Sequence, residues 1–254
     1  MRKIFIAVII TWAALLAAQA RAGQDLPFGP GERLAYDIHW GFIPAGRAEL
    51  WVKADGQVDG VPARYFWAQA RTLAWVDNFY KVRDTMEAWT DLDVTHALHY
   101  KKDQNEGSFH KKVDLLFDKK TNLSYRWARG KLQHIINQPV DVFDPMSILF
   151  SFRKHALHKG MEFRANVSDG KISVVSKALV EGREVVKTGI GDIEAYKVRL
   201  DIKHLSGVFK KSADADLFVW FSADERRIPV KVRSKVAVGS FIMTLREYHP
   251  PVDR

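Results

Sequence analysis

The chain has no cysteine at any of its 254 positions. No disulfide, thiolate nucleophile or cysteine metal ligand can therefore enter any account of it. A protein without cross-links depends on an ordinary hydrophobic core, which a chain of this length can bury. Its 9 prolines and 16 glycines are scattered. No Pro-, Gly- or Ser-rich tract marks a linker, so residues 23–254 are expected to form a single β-rich domain. Past the N-terminus no apolar run is long enough to cross a bilayer as a helix, which takes about 20 residues.

Chemical motifs are missing as well. There is no Gly-x-Ser-x-Gly elbow, no phosphate-cradling loop and no dinucleotide fingerprint. Two histidine pairs, His96/His99 and His155/His158, lie three residues apart, but two ligands do not make a zinc site. Ser147 sits one turn into a helix start, where a hydroxyl commonly bonds backbone. The acids Asp84, Glu87, Asp91 and Asp93 are close only in sequence, and a glycan-acting enzyme would need two of them across one cleft. No catalytic residue, metal or cofactor is expected, and a non-enzymatic role is favoured over a glycan-acting one.

What is present begins with a leader. Arg2 and Lys3 precede an apolar run from Ile4 to Ala18 broken only by Thr11, and Ala20-Arg21-Ala22 offers small residues flanking one position. This is the pattern of a secretory signal peptide spanning residues 1–22. With no cysteine for lipid attachment, the expected product is a soluble periplasmic protein and not a lipoprotein. Cleavage takes away Arg2, Lys3 and Arg21, lowering the net charge from +9 to +6. Nucleic acid is not an expected partner for an exported chain. Anionic lipid, lipopolysaccharide or acidic polysaccharide fits the charge better, and an envelope protein is the other expected partner.

Period-two alternation dominates the rest. Leu34, Tyr36, Ile38 and Trp40 share a face, as do Tyr196, Val198, Leu200 and Ile202, and Ile228, Val230 and Val232. Similar strands are expected at 46–54, 62–71, 81–91, 96–102, 108–117, 122–128, 131–136, 161–168, 171–180, 183–188, 215–222 and 240–248. Gly-containing pairs at 55–56, 59–60, 129–130, 169–170 and 181–182 lie between them as hairpin turns. So many consecutive hairpins predict a mainly β fold: one large curved antiparallel sheet, open or closed as a barrel, with a two-sheet sandwich as the alternative. RYFWAQA and LFVWFS are apolar on both faces, so something must cover each second face.

One segment breaks the pattern. Asp144 and Pro145 open it, Met146, Leu149 and Phe150 follow at helical spacing, basic residues close it and Gly160 ends it. These features predict a principal helix over about 144–156, as plug or lid of the sheet. A short helix or single turn is expected within 72–81. The aromatic content points to a lined concavity. Trp40, Trp67, Trp89, Met146, Leu149 and Phe150 are the expected lining for an apolar or amphipathic, lipid-like ligand. Lys231, Arg233 and Lys235 are expected to form a basic stripe on the outer face. The alternative is an envelope scaffold with a fully packed interior.

Four separated segments, GERLAYDIHWGFIPAGRAELWV, YKVRDTMEAWTD, FDPMSILFSFRKHALHKG and VWFSADERRIPVKVRSKVAVGSF, resemble in their order an exported bacterial family, domain-of-unknown-function family 3108. The resemblance marks Gly31, Glu32, Tyr36, Gly46, Asp84, Asp144, Ser147, Gly160, Trp220, Asp224, Arg227 and Pro229 as family-pattern positions. It departs from that pattern at 146–154. It implies export and the β fold, and no activity.

Overall fold

The computed structural model describes residues 26–201, 216–236 and 239–252. The expected leader, Ile202 of one expected strand and residue 215 of another lie outside the described residues.

The described strands are β1 (Arg33–Trp40), β2 (Ile43–Val52), β3 (Gly56–Val58), β4 (Val61–Thr72), β5 (Arg83–Thr90), β6 (Ala97–Glu106), β7 (Phe109–Asp118), β8 (Leu123–Ala128) and β9 (Lys131–Asn137), followed by β10 (Glu162–Ser168), β11 (Ser173–Thr188), β12 (Gly191–Leu200), β13 (Asp216–Ser222), β14 (Pro229–Val236) and β15 (Gly239–His249). Helix α1 (Ala74–Asp77) is a single turn between β4 and β5, and α2 (Ser147–Arg153) lies between β9 and β10. The neighbour order is β10-β11-β12-β13-β14-β15-β1-β2-β4-β5-β6-β7-β8-β9, with β3 pairing β4 outside this path. The sheet is thus an antiparallel meander cut at β9/β10. It would be a closed barrel if those two strands paired; they do not, so the sheet stays open, and the sandwich alternative is set aside.

The connection from β9 to β10 occupies the cut. Phe143 forms a parallel bridge with Val167 of β10, and the Ala97 N–H donates to Val142 O at 2.8 Å. This lays the connection between β6 and β10 and delivers α2 to the concave side. The helix is shorter than expected at both ends, with Met146 rather than Asp144 at its N-cap and Lys154 at its C-cap. Asp144 Oδ1 accepts the N–H groups of Met146 at 2.8 Å and Ser147 at 3.0 Å, while the Asp144 N–H donates back to Ser147 Oγ. That reciprocal arrangement satisfies the first free donors of the helix.

Two turn expectations need correction. Gly182 does not end a strand: β11 runs through it, with a bulge between Val180 and Gly182, as a lone strand glycine can signal. Gly56 belongs to β3 and not to a turn. The turn at 59–60 holds, with positive φ at both Asp59 and Gly60, as a twisted hairpin requires.

Register defines two ends. At one, Trp40 pairs with Ile43 and Phe241, Gly46 with Thr72, Arg71 with Arg83 and Glu106 with Phe109. At the other, Arg33 pairs with Trp51, Arg64 with Thr90 and Phe221 with Pro229.

This second end is plugged. Phe66 of β4 stacks on Phe150 of α2 at 3.8 Å between ring centres, and Phe28 meets Phe150 edge-on at 5.1 Å. Arg153 and Glu32, both fully buried, form a bidentate pair at 2.7 and 2.8 Å. Arg153 also donates to the carbonyls of Arg226 and Pro27, and the Arg227 side chain donates to Arg153 O. One guanidinium thus ties the chain before β1, α2 and the β13–β14 turn together.

Candidate functional site

Above this plug the interior is not filled. A cavity of about 370 Å³ lies between the concave face and α2. Its lining includes Ile38 of β1, Ala48 of β2, Ala70 of β4, Met86 of β5, Leu149 of α2 and Met243 of β15. The register explains the space. Near the plug, Val52 faces Phe66 across β2 and β4; two residues on, Leu50 faces Ala68; two further, Ala48 faces Ala70. Facing alanines leave room that α2, only seven residues long, does not fill.

One wall carries charge. Directly opposed residues share a sheet face. Asp84 opposes Ala70, and Lys102 opposes Met86, so both lie on the concave side beside the lining. Burial pushes the Asp84 carboxyl up to about 6, the neighbouring Glu106 adds to this, and the hydrogen bond from the Asn105 N–H opposes it. Burial likewise pushes the Lys102 ammonium down, against Asp84 and Glu106. The result is an apolar chamber edged by a partly desolvated group of both signs, suited to an apolar body with a small polar head.

The expected lining divides. Met146 and Leu149 face the cavity. Phe150 lies below it, fully buried in the plug. The three tryptophans are not part of the lining. Trp89 stacks on Tyr65 at 4.7 Å, whose hydroxyl donates to Glu87 at 2.6 Å; Trp67 lies near the Lys53 ammonium, which covers Trp51 at 3.0 Å; Trp40 stands half exposed at the β1–β2 tip. For Trp40 the reason is its place at the tip, past a register shift after Ile38; for the other two it is alternation. Trp67 shares its face with Gln69 and Arg71, and Trp89 with Glu87 and Arg83, which is the wet face. Missed lining residues are the small ones, Ala48, Ala68 and Ala70, whose signal was small side chains in register.

The basic stripe is also only partly free. Lys231 lies 4.7 Å over Trp220, and Arg233 lies 4.8 Å over Phe218 and 3.6 Å from Asp216; Lys235 is exposed. The second apolar face of β13 has its cover: the β11–β12 hairpin bends back, Trp220 Nε1 donates to Glu184 at 2.6 Å, and the Gly189 N–H reaches Leu245 O. Its other face, Val219 and Phe221, lines the cavity.

The acids of 84–93 do not converge. Asp84 faces inward, Glu87 bonds Tyr65 on the other face, and Asp91 anchors a turn through Thr95 and His96. His96 is itself buried.

The family model for DUF3108, a protein family of unknown function, matches residues 35–246. No curated protein matches the chain. Among solved structures, the chain is similar to a β-barrel-like protein of domain of unknown function DUF1849 from Brucella abortus, with 11% identity, TM-score 0.57, and 87% of this chain and 98% of that one covered. It also aligns with a Bacteroides fragilis protein described as exported with a YmcC-like fold (9% identity, TM-score 0.38, 88% and 98% covered). A third match is a Parabacteroides distasonis protein described as a lipoprotein (11%, 0.31, 89% and 100%). Only the first resembles this chain closely enough to bear on the fold, and it supports the barrel-like sheet.

The family-pattern positions sort by place. Glu32, Asp144, Ser147, Asp224 and Arg227 hold the plug and its turns. The Tyr36 hydroxyl donates to Pro229 O at 2.8 Å. A Cβ at Gly31 would meet Val252 at 2.3 Å, and one at Gly46 would meet Arg71 O at 2.6 Å. Most of the pattern thus describes the frame rather than the chamber. The chain belongs to the DUF3108 family.

Proposed function

From membership in a family with no assigned activity, we propose that this protein is a non-enzymatic binding protein of the cell envelope that holds one apolar or amphipathic, lipid-like ligand in the cavity above α2. The observation that carries this reading is the pairing of Ala48 with Ala70 on the concave face. A sheet that needed only a core would place larger side chains there, as it does two steps below with Phe66 and Val52. A volume of about 370 Å³ sits at the small end of ligand pockets, roughly 300–1,000 Å³, and suits a single chain-like or ring-shaped apolar body. Asp84 and Lys102 supply the polar edge for a head group. The leader pattern supports export to the periplasm in soluble form, without a lipid anchor, and the positive charge supports lipid or lipopolysaccharide as the source of ligand.

The test is native mass spectrometry of the protein purified from its own compartment, followed by organic extraction. A stoichiometric amphiphile that is lost in Ala70→Phe is the expected result. An unliganded mass, together with no uptake of the small apolar fluorophore 1-aminoanthracene, would overturn the reading. A scaffold role is the second reading. It is favoured by the open edge of β9, where Leu132 and Ile135 are exposed, a form that accepts an added strand; a crosslinked partner at β9 with an empty cavity would select it.

A further inference from the structure

The end of the sheet toward which the cavity lies carries an arc of exposed aromatic side chains. They come from separate turns on the neighbouring strands β15, β1, β2, β4, β5, β6 and β7. Phe42, 92% exposed, sits on the tight β1–β2 turn beside Gly41, whose φ is +60°. Phe79, 82% exposed, follows α1 with Tyr80, and Trp75 lies within α1; Tyr80 and Trp75 are both half exposed. Phe109 begins β7 and Phe241 lies on β15 opposite Trp40.

These side chains stand on anchored backbone. Asp77 pairs with Arg83 and accepts from Thr72 Oγ1, which in turn accepts the Val82 N–H at 2.9 Å. The Gly107 N–H donates to Lys81 O at 2.8 Å, and the Tyr80 ring packs on Gly107, 2.9 Å from where a Cβ would stand. Well-held turns that turn several large apolar groups outward mark a contact surface.

The exposed charge on the turn before β5 is basic, while the acids nearby, Asp84 and Glu106 close to Tyr80, are half-buried. Residues 71–83 hold Arg71, Lys81 and Arg83 against Asp77 alone, and Asp77 is taken up by Arg83. Arg71, Lys81 and Lys235 are exposed. Aromatic side chains at tips with cations just behind them match the layering of a bilayer surface, with rings at the head-group boundary and cations at anionic phosphates.

We propose that this end docks on an anionic phospholipid surface, with Phe42 and Phe79 inserting and Arg71 and Lys81 contacting phosphates. The proposal rests on the cavity reading, for which it supplies the place of loading and release.

The test is flotation of the protein with phosphatidylcholine vesicles and with mixed phosphatidylcholine–phosphatidylglycerol vesicles. Variants carry the wild-type N-terminus, so differences report the rim. Wild type is expected to float with the mixed vesicles, less so at high salt. Phe42→Ser with Phe79→Ser is expected to lower binding about tenfold. Arg71→Glu with Lys81→Glu is expected to remove the preference for the anionic mixture. Both variants should keep the wild-type thermal midpoint and the uptake of 1-aminoanthracene. Wild type that does not float, or an aromatic variant that floats equally, overturns docking. Flotation that depends on Phe42 and Phe79 in a protein that takes up no probe supports docking and removes the cavity instead.

Discussion

The plugged end and the hollow end of the sheet are built from the same strands and differ in what four residues of travel put on the concave face. On β4 the step runs from Phe66 through Ala68 to Ala70, and on β2 from Val52 through Leu50 to Ala48. Each two-residue step advances about 7 Å. Over some 14 Å the interior therefore passes from stacked aromatic rings and a buried ion pair to an unfilled chamber. The difference teaches how one helix can be plug and cavity floor together: α2 spends Phe150 and Arg153 on the plug, while its Leu149 and its N-cap Met146 face the space.

The strongest way to break this comparison is at the ion pair. Glu32→Ala leaves the buried Arg153 guanidinium without its carboxylate, and removing one partner of a buried pair costs about 3–5 kcal/mol. Urea denaturation should show that loss. A shift under about 1 kcal/mol would mean that the pair is not buried in solution and that the end is not plugged. Truncating the aromatic plug should weigh nearly as much, with Phe66→Ala costing about 3–5 kcal/mol. Its counterpart sharpens the contrast. Ala70→Phe adds a ring at the hollow level and should change stability by no more than about 1.5 kcal/mol, while abolishing 1-aminoanthracene uptake. If it destabilises as much as Phe66→Ala, the chamber is already full.

A finer probe separates the groups by pH. Burial pushes the Asp144 carboxyl up to about 6, against the hydrogen bonds from Ser147 and Met146. Its ordinary value is 3.8, so between these values the folded state holds a proton that the unfolded chain has released. The contribution of Asp144 is then fully present below about pH 4 and is lost as pH rises through 6. Asp144→Asn keeps the capping oxygen and removes the titration. It should gain stability relative to wild type between pH 4 and 7, read from midpoints of chemical denaturation. A parallel pair of curves would assign the raised value elsewhere.

Much of this frame was legible in the sequence because alternation reports the strand directly. The hairpins from β4 to β9 fall within a few residues of their expected places. The Asp144–Pro145 start and the apolar spacing of 146–150 located α2. What misled was the size of the aromatic side chains. On β4, Tyr65 and Trp67 compete with Phe66 and Ala68 for the inward face, and hydrophobicity alone favours the larger pair. The deciding signal lay further along, where the tryptophan face continues as Gln69 and Arg71 and the other continues as Ala70. A cavity is harder still to read, since it is written as the coincidence of small residues on different strands. Ala48 and Ala70 mean nothing until the register brings them together.

The outer face supplies the smallest expected effect. Trp89 stacks on Tyr65 with planes 4° apart and leans on His99 at 5.2 Å. Replacing it by leucine removes a partly exposed stacking contact, worth about 0.5–1.5 kcal/mol. Trp67→Leu should behave alike, because it leaves Lys53 its other ring, Trp51. Neither change touches the concave side, so the uptake of 1-aminoanthracene should stay at the wild-type level in both. Uptake lost in Trp67→Leu or Trp89→Leu, but retained in Ala70→Phe, would move the binding surface to the convex face. The alanine pair would then be a defect of packing rather than a chamber.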